Sequence, residues 1–473
     1  MHKQIITSIM SLFFQSGYSA FLGLIANLIL TILLTPTIFG MYITVLSIIS
    51  LLNYFSDIGL AASLIQKKEI TDDDIKTTFT IQQILILTLI VIGFFATSSI
   101  RKFYDLPVEG IYLFWGLLLA FFISSLKTIP SIFLERKIQF QKIVRVQIIE
   151  NTVFYLLVTT LALLNFGVMS FTYAVIARAV IGLIAMYSIS FWKPGFGISR
   201  KSLKTLLSFG IPFQASSFLA LFKDDLITLF LGKVLGFEGL GYIGWAKKWA
   251  ESPIRIIMDN INRVLFPVIS RIQNDKEKIA RLIEKLLNYQ TLLLAPTLAG
   301  LAIMMNRFIG IIPRYNKWEP ALPYFYIFIA ASFFSSYSTP FMNLFNALGK
   351  VKLTFSFMFF WTVATWLLTP LFTRMFGLYG FPINQLILSL TFAVVLYIAK
   401  KEVYFRFLHS VYKPLIATAV MGGITLFIIN SIVITYPLLI LTVLISALIY
   451  FIILRFMFKI DLIEELKFIL TKK

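Results

Sequence analysis

The chain has 473 residues, of which 59% are hydrophobic and 14% charged; a soluble domain carries about 25% charge, so lipid is the expected solvent. There is no cysteine, and the two histidines are His2 and His409, which excludes disulfides, thiolate metal sites and a histidine base in the apolar body, and no cofactor is expected. The net charge is +20, but the excess lies mostly in short loops between apolar runs, so it reads as a topology signal rather than a nucleic-acid surface.

A bilayer core needs roughly 20 apolar residues per helix. That ruler predicts spans near 12–34, 40–65, 79–99, 111–133, 144–165, 168–192, 207–232, 239–270, 289–312, 321–347, 353–373, 377–399, 414–432 and 436–455. The fold class is therefore all-α and polytopic, with about fourteen transmembrane helices. The even-numbered loops and the C-terminus carry most of the Lys and Arg, including Lys193, Arg200, Lys201 and Lys204 in one loop and Arg271, Lys276, Lys278, Arg281 and Lys285 in another. The odd-numbered loops hold six. Positive charge stays inside during insertion, which places both termini in the cytoplasm. The first apolar stretch contains Asn27 and ends in Thr-Pro-Thr without a small-x-small site, so it is expected to remain as the first helix rather than be cleaved. Residues 271–287 and the tail 460–473 are amphipathic and predict short helices lying on the cytoplasmic headgroups.

Two stretches echo each other, one from Phe39 and one from Gly239. Each opens on Gly and Tyr, continues as an apolar helix broken by charge, and ends in a segment beginning Ile-Gln. They would be the second and eighth spans, running in the same direction, as in parallel repeats that form two bundles around an axis along the membrane normal. The pattern places a substrate site between the halves. The predicted divisions are an N-terminal six-helix bundle over 1–206, a second over 207–400, and two extra helices with a tail over 401–473. Gly239-Leu-Gly241-Tyr-Ile-Gly244 fits the dinucleotide fingerprint in letters only, because no βαβ unit surrounds it. No Walker lysine motif occurs.

Charged residues inside the spans carry the functional signal. The bases include Lys127, Arg178, Lys223, Lys247, Lys248, Arg255, Arg263 and Arg307; the acids are Asp57, Glu150, Asp224, Asp225, Glu251 and Asp259. Each central Lys, Arg or Asp costs roughly 2.5–3.5 kcal/mol on insertion, so these groups must face one another or water. Lys247, Glu251, Arg255, Asp259 and Arg263 follow at four-residue steps with alternating sign, covering one helix face. One reading is an ion-pair ladder that neutralises itself. With Lys248 the helix has four bases to two acids, and this surplus favours a hydrated cationic cavity. Lys223, Lys127 and Arg178 would add to its wall, and such a cavity suits an anionic headgroup. Asp225, Glu251, Asp259 and Asp57 are candidates for ion coupling. Trp245 and Trp249 flank the basic pair and could stack on sugar faces; packing is the plainer role. Pro253 is expected to kink the helix.

Phe55-Ser-Asp57-Ile-Gly59-Leu60-Ala-Ala-Ser63-Leu64-Ile65-Gln66 resembles the F-x-D-x-G-L-x-x-A-L-I-Q segment of bacterial polysaccharide, O-antigen and exopolysaccharide flippases, with Ser63 where alanine is usual. The run Leu240-Gly241-Tyr242, Ala246, Pro253, Phe266-Pro267, Ser270-Arg271 and Gln273 resembles their second signature. The resemblance implies membership of the multidrug, oligosaccharidyl-lipid and polysaccharide exporter superfamily. It also implies a V-shaped pair of pseudo-symmetric six-helix bundles with a central cavity and two C-terminal helices. The implied activity is alternating-access flipping of undecaprenyl-pyrophosphate-linked oligosaccharide across a bacterial cytoplasmic membrane, coupled to an ion gradient. The implied partners are a lipid-linked anionic oligosaccharide, membrane lipids, and the polymerase and glycosyltransferases of one pathway, with the protein a monomer and no nucleic acid involved. A drug/cation antiporter of the same superfamily would need an acidic cavity. A membrane glycosyltransferase or polymerase would need a catalytic acid or base in a sizeable loop, and the loops here are short, so the chain is not expected to be an enzyme.

Overall fold

The structure is a computed structural model. It describes residues 2–215, 221–431 and 435–458; within these, residues 2–10, 12, 13, 212, 213, 215 and 259–264 are described by backbone only. The tail expected to be amphipathic, 460–473, lies outside the described residues. The described residues are helices and short connections, without a strand. They fall into two compact units, 1–244 and 245–473.

Helix ends follow local chemistry. Pro36 opens the helix Pro36–Phe55, and the Thr35 hydroxyl accepts from the Ile38 N–H. Thr71 and Asp74 form a capping box at the start of Asp72–Tyr104, satisfying two donors that would otherwise be orphaned. Asp275 caps Lys276–Ile311 through the Lys278 N–H; that bond to its carboxylate holds Asp275 below its ordinary pKa.

Among the described residues, eleven helical stretches are long and apolar enough to cross a membrane. Three of the fourteen expected spans are not separate among these. The span 321–347 is two shorter helices, Leu322–Ser336 and Ser338–Ala347; 207–232 and 239–270 contribute to one stretch, Phe222–Met258, and 353–373 and 377–399 to another, Val351–Glu402. The expected span 111–133 keeps its place as Val108–Ser125, followed after a break by Thr128–Arg136. The long element Ile227–Arg271 is interrupted at Gly236 (φ 69°, ψ 177°), a conformation natural to glycine, and runs through Pro253 with helical dihedrals.

The second span ends in the turn that the Phe55–Gln66 motif encodes. Asp57 accepts the Ala61 N–H at 3.0 and 3.2 Å, starting the short helix Leu60–Gln66. Gly59 has φ 77° and packs directly on the Gly210 backbone, where a Cβ would overlap the Gly210 carbonyl. Ser63, the departure from the usual alanine, donates to the Leu206 carbonyl at 2.6 Å. Arg136 then closes the helix by donating to the carbonyls of Leu64, Ile65, Lys67 and Lys68, which are the orphan acceptors of a helix C-terminus.

Each unit contains one helix broken in mid-span in the same way. In the first, Gln83 donates to Ser125 at 3.1 Å just before the break, and Pro130 is the third residue of the next helix. In the second, Gln290 donates to Ser336 at 3.0 Å, and Pro340 again is third. A three-residue turn follows both, 137–139 and 348–350.

The amphipathic stretch 271–287, expected on the headgroups, turns its apolar face to protein. Its latter part opens the helix Lys276–Ile311, and Ile279, Ile283 and Leu286 are buried against Leu265, Phe341, Phe345 and Val395. Its apolar face found protein rather than lipid, the same hydrophobic drive with a different partner.

Candidate substrate-binding site

The second unit carries the charged helix. Glu251 lies between two bases one turn away on either side: the Lys247 ammonium at 3.8 Å and the Arg255 Nη2 at 2.9 Å. The first three rungs of the predicted row are thus intrahelical ion pairs, two bases on one acid. Arg255 remains 72% exposed while paired, and such exposed pairs contribute only about 0.3–0.5 kcal/mol. Lys247 also lies over the Phe381 ring, 5.7 Å from its centroid. Lys248 is exposed on the next face. The side chains of Asp259 and Arg263, the last two rungs, lie outside the described residues.

The two tryptophans differ. Trp245 is 4% exposed, stacks on Trp318 at 5.5 Å, and donates its indole N–H to the Tyr315 hydroxyl at 3.0 Å. It is a packing residue. Trp249 instead lines a cavity of about 880 Å³ between the helices Lys276–Ile311, Phe407–Ser431 and Tyr436–Phe458. Leu293, Met304, Met421, Val443 and Phe451 supply apolar wall, and the buried Trp249 N–H has no hydrogen-bond partner.

The remaining candidates belong to the first unit. Lys127 pairs with Glu150, and the two side chains are 21% and 7% exposed. Gly182 makes room for that carboxylate, because a Cβ there would overlap Glu150 Oε1. Arg178 is exposed, with its guanidinium 5.7 Å from the Phe154 ring centroid. Lys223, Asp224 and Asp225 occupy a π-helical turn, Phe222–Leu226, a local widening that is rare and frequent at functional sites. Ser50 bonds to Asp225. Asp57 is engaged in the turn described above. Among the described residues no three His, Asp or Glu side chains gather into a metal-binding group.

Sequence reasoning listed Glu150 among the intramembrane acids without giving it a partner, because its mate is 23 residues away on a different helix. It also missed the cavity, whose three walls are separated in the chain.

The model of a family described as polysaccharide biosynthesis protein matches residues 29–323. The chain belongs to this family. Among the family-like relatives, the lipopolysaccharide biosynthesis protein WzxC of Escherichia coli K12 is 27% identical over 345 residues, 72% of this chain and 69% of that one. The teichuronic acid biosynthesis protein TuaB of Bacillus subtilis is 22% identical over 303 residues, covering 63% of this chain and 62% of TuaB. The lipid II flippase MurJ in an inward closed conformation shares the fold, with a TM-score of 0.74, 14% identity, and coverage of 96% of this chain and 99% of MurJ. An inward-facing multidrug transporter of the MATE family has a TM-score of 0.54 at 16% identity, covering 80% and 94%. This polysaccharide biosynthesis protein is accordingly a multi-pass membrane protein with the MurJ- and MATE-like helical fold.

Proposed function

We propose that the protein is a flippase that turns an undecaprenyl-pyrophosphate-linked oligosaccharide from the cytoplasmic to the outer leaflet for surface polysaccharide assembly. The observation that carries this reading is the juxtaposition on one helix of the second unit. The bases Lys247, Lys248 and Arg255 outnumber Glu251 there, while Trp249 opens onto a large apolar cavity. A lipid-linked diphosphate needs both surfaces, charge-assisted donors for its phosphates and a dry wall for its chain. Family membership supports a role in polysaccharide assembly.

The proposal includes substrate contact by Lys247, Lys248, Arg255, Arg263, Lys223, Lys127 and Arg178, and alternating access driven by an ion gradient. It further includes the fourteen-span arrangement with bundles 1–206 and 207–400 plus 401–473, both termini cytoplasmic in a bacterial inner membrane, and a monomer working beside the glycosyltransferases and polymerase of its pathway. The reading makes the protein a carrier without catalytic chemistry.

The test is replacement of Arg255 by Ala in a host whose surface glycan depends on this protein. Export is expected to be lost while the protein still inserts; unchanged export refutes the assignment of Arg255. Purified protein in liposomes should move a fluorescent lipid-diphosphate oligosaccharide between leaflets. Efflux of organic cations in place of that movement would favour the drug antiporter reading.

A further inference from the structure

We infer that the Lys127–Glu150 pair is a proton-binding site coupled to substrate movement, an assignment that rests on the flippase reading. A charge pair inside an apolar bundle stabilises little, because desolvating both ions offsets most of their attraction, and replacing such a pair by neutral packing is often harmless. This fold demonstrates the neutral alternative in its own second unit. There the equivalent break follows Ser336, bonded to Gln290 as Ser125 is to Gln83, and the break is occupied by Tyr337. Tyr337 is buried, bonds to Thr291 and packs on Phe333 and Phe407. A kinked helix of this type therefore needs no ion pair, and the one in the first unit has another use.

Its placement ties protonation to backbone geometry. Lys127 is itself the break residue, at φ −89° and ψ 0°, between Val108–Ser125 and Thr128–Arg136. Glu150 lies in the helix Phe140–Leu163 and fits a notch left by Gly182 of Met169–Ile189. The acid on the adjoining helix, Glu135 of Thr128–Arg136, accepts from Ser131. Gln82 and Gln83 of Asp72–Tyr104 bond to Thr128 and Ser125. Tyr187 bonds to the Leu126 carbonyl. From the first helix, Tyr18 and Ser19 reach Thr152 and Asn151. The other cation on the neighbouring helix is Arg178, one turn from Gly182, exposed and lying against Phe154 one turn from Glu150.

When a proton from water bonds to a Glu150 oxygen, the carboxylate becomes neutral and Lys127 keeps its three protons. A partly buried ammonium that loses its carboxylate is destabilised, so Lys127 must turn away from Glu150 and the break must move with it. The freed ammonium, with exposed Arg178 nearby, can then take an anionic headgroup. Proton binding at Glu150 and diphosphate binding at Lys127 thus favour each other, as linked equilibria must.

The test uses the full chain in liposomes, a fluorescent lipid-diphosphate oligosaccharide, and an imposed pH gradient. Wild-type flipping should accelerate up to about tenfold per pH unit for one coupled proton. Glu150→Gln should flip at one rate with or without the gradient, and Glu150→Asp, which restores a carboxylate, should bring the gradient response back; detergent melts of both variants check that they fold. Glu277→Gln, at an exposed surface pair with Arg281, should keep the gradient response. Retained acceleration in a folded Glu150→Gln overturns the inference, as does wild-type flipping indifferent to the gradient. A wild type that does not flip this probe at all refutes the flippase reading instead.

Discussion

Replacing Gly59 by alanine should destabilise the first unit for two separable reasons. At φ 77° the residue sits in the left-handed region, where a side chain costs about 1–3 kcal/mol. The new Cβ would also overlap the Gly210 carbonyl, and forcing extra volume into such a contact costs typically about 1–3 kcal/mol. The sum is about 2–6 kcal/mol. Gly210→Ala isolates the second contribution. Its Cβ would meet Ile58 and Gly59 backbone at 2.8–2.9 Å, without a left-handed backbone. Gly300→Ala is the control, because nothing lies within 4 Å of a Cβ there and a helix interior gains up to about 1 kcal/mol from alanine. Heating each detergent-purified variant and measuring the fraction that stays soluble gives the ranking. The expected order of heat resistance is Gly300→Ala at or above wild type, then Gly210→Ala, then Gly59→Ala. A Gly59→Ala protein that melts with wild type refutes the packing account. Equal losses in Gly59→Ala and Gly210→Ala refute the contribution of the left-handed turn.

Three further outcomes follow from the second unit. Trp245→Phe keeps a ring against Trp318 but removes the indole hydrogen bond to the buried Tyr315 hydroxyl, a bond worth about 0.5–1.5 kcal/mol, and should lower the melting temperature; an unchanged melt means the bond contributes nothing. Lys317, in the turn Asn316–Ala321, is pushed down to about 8 by burial and by neighbouring Arg314. The unfolded chain then holds the extra proton between about pH 8 and the ordinary lysine range near 10.4, so folded stability should rise with pH across that window. Lys317→Met should flatten this rise in melts at stepped pH, and an identical slope in both proteins counts against the depressed lysine. Gly300→Phe would put a ring into the 880 Å³ cavity from its lining. Flipping of the lipid-diphosphate probe should fall with little change in melting, and undiminished flipping would remove the cavity from the chain-binding role.

Much of the helical framework was legible because hydropathy and capping are local. Thr35-Pro36, Thr71 with Asp74, and Asp275 announce helix starts in the order of the chain. The charged row at Lys247, Glu251 and Arg255 was legible for the same reason, since four-residue spacing fixes a shared face whatever surrounds the helix. Helix breaks were less visible. Ser125-Leu126-Lys127 and Ser336-Tyr337-Ser338 pass as span interior in hydropathy, and only Pro130 and Pro340, each third in the helix after the break, mark the two sites. Partners distant in sequence were invisible altogether. An amphipathic stretch at 271–287 announces that it has an apolar face, but burial against Phe341 and Val395 depends on helices far along the chain.

The same distinction separates framework from function. Gln83–Ser125 and Gln290–Ser336 perform one task in both units, holding a broken helix against its neighbour. Two residues beyond Ser125 stands Lys127, paired with Glu150 in a notch that Gly182 leaves open; one residue beyond Ser336 stands Tyr337, packed among aromatic rings. If the break alone were required, the tyrosine solution would serve in both places without desolvating two charges. That difference in chemistry at one position, ionic in one unit and aromatic in the other, is the observation on which the proposed proton site rests.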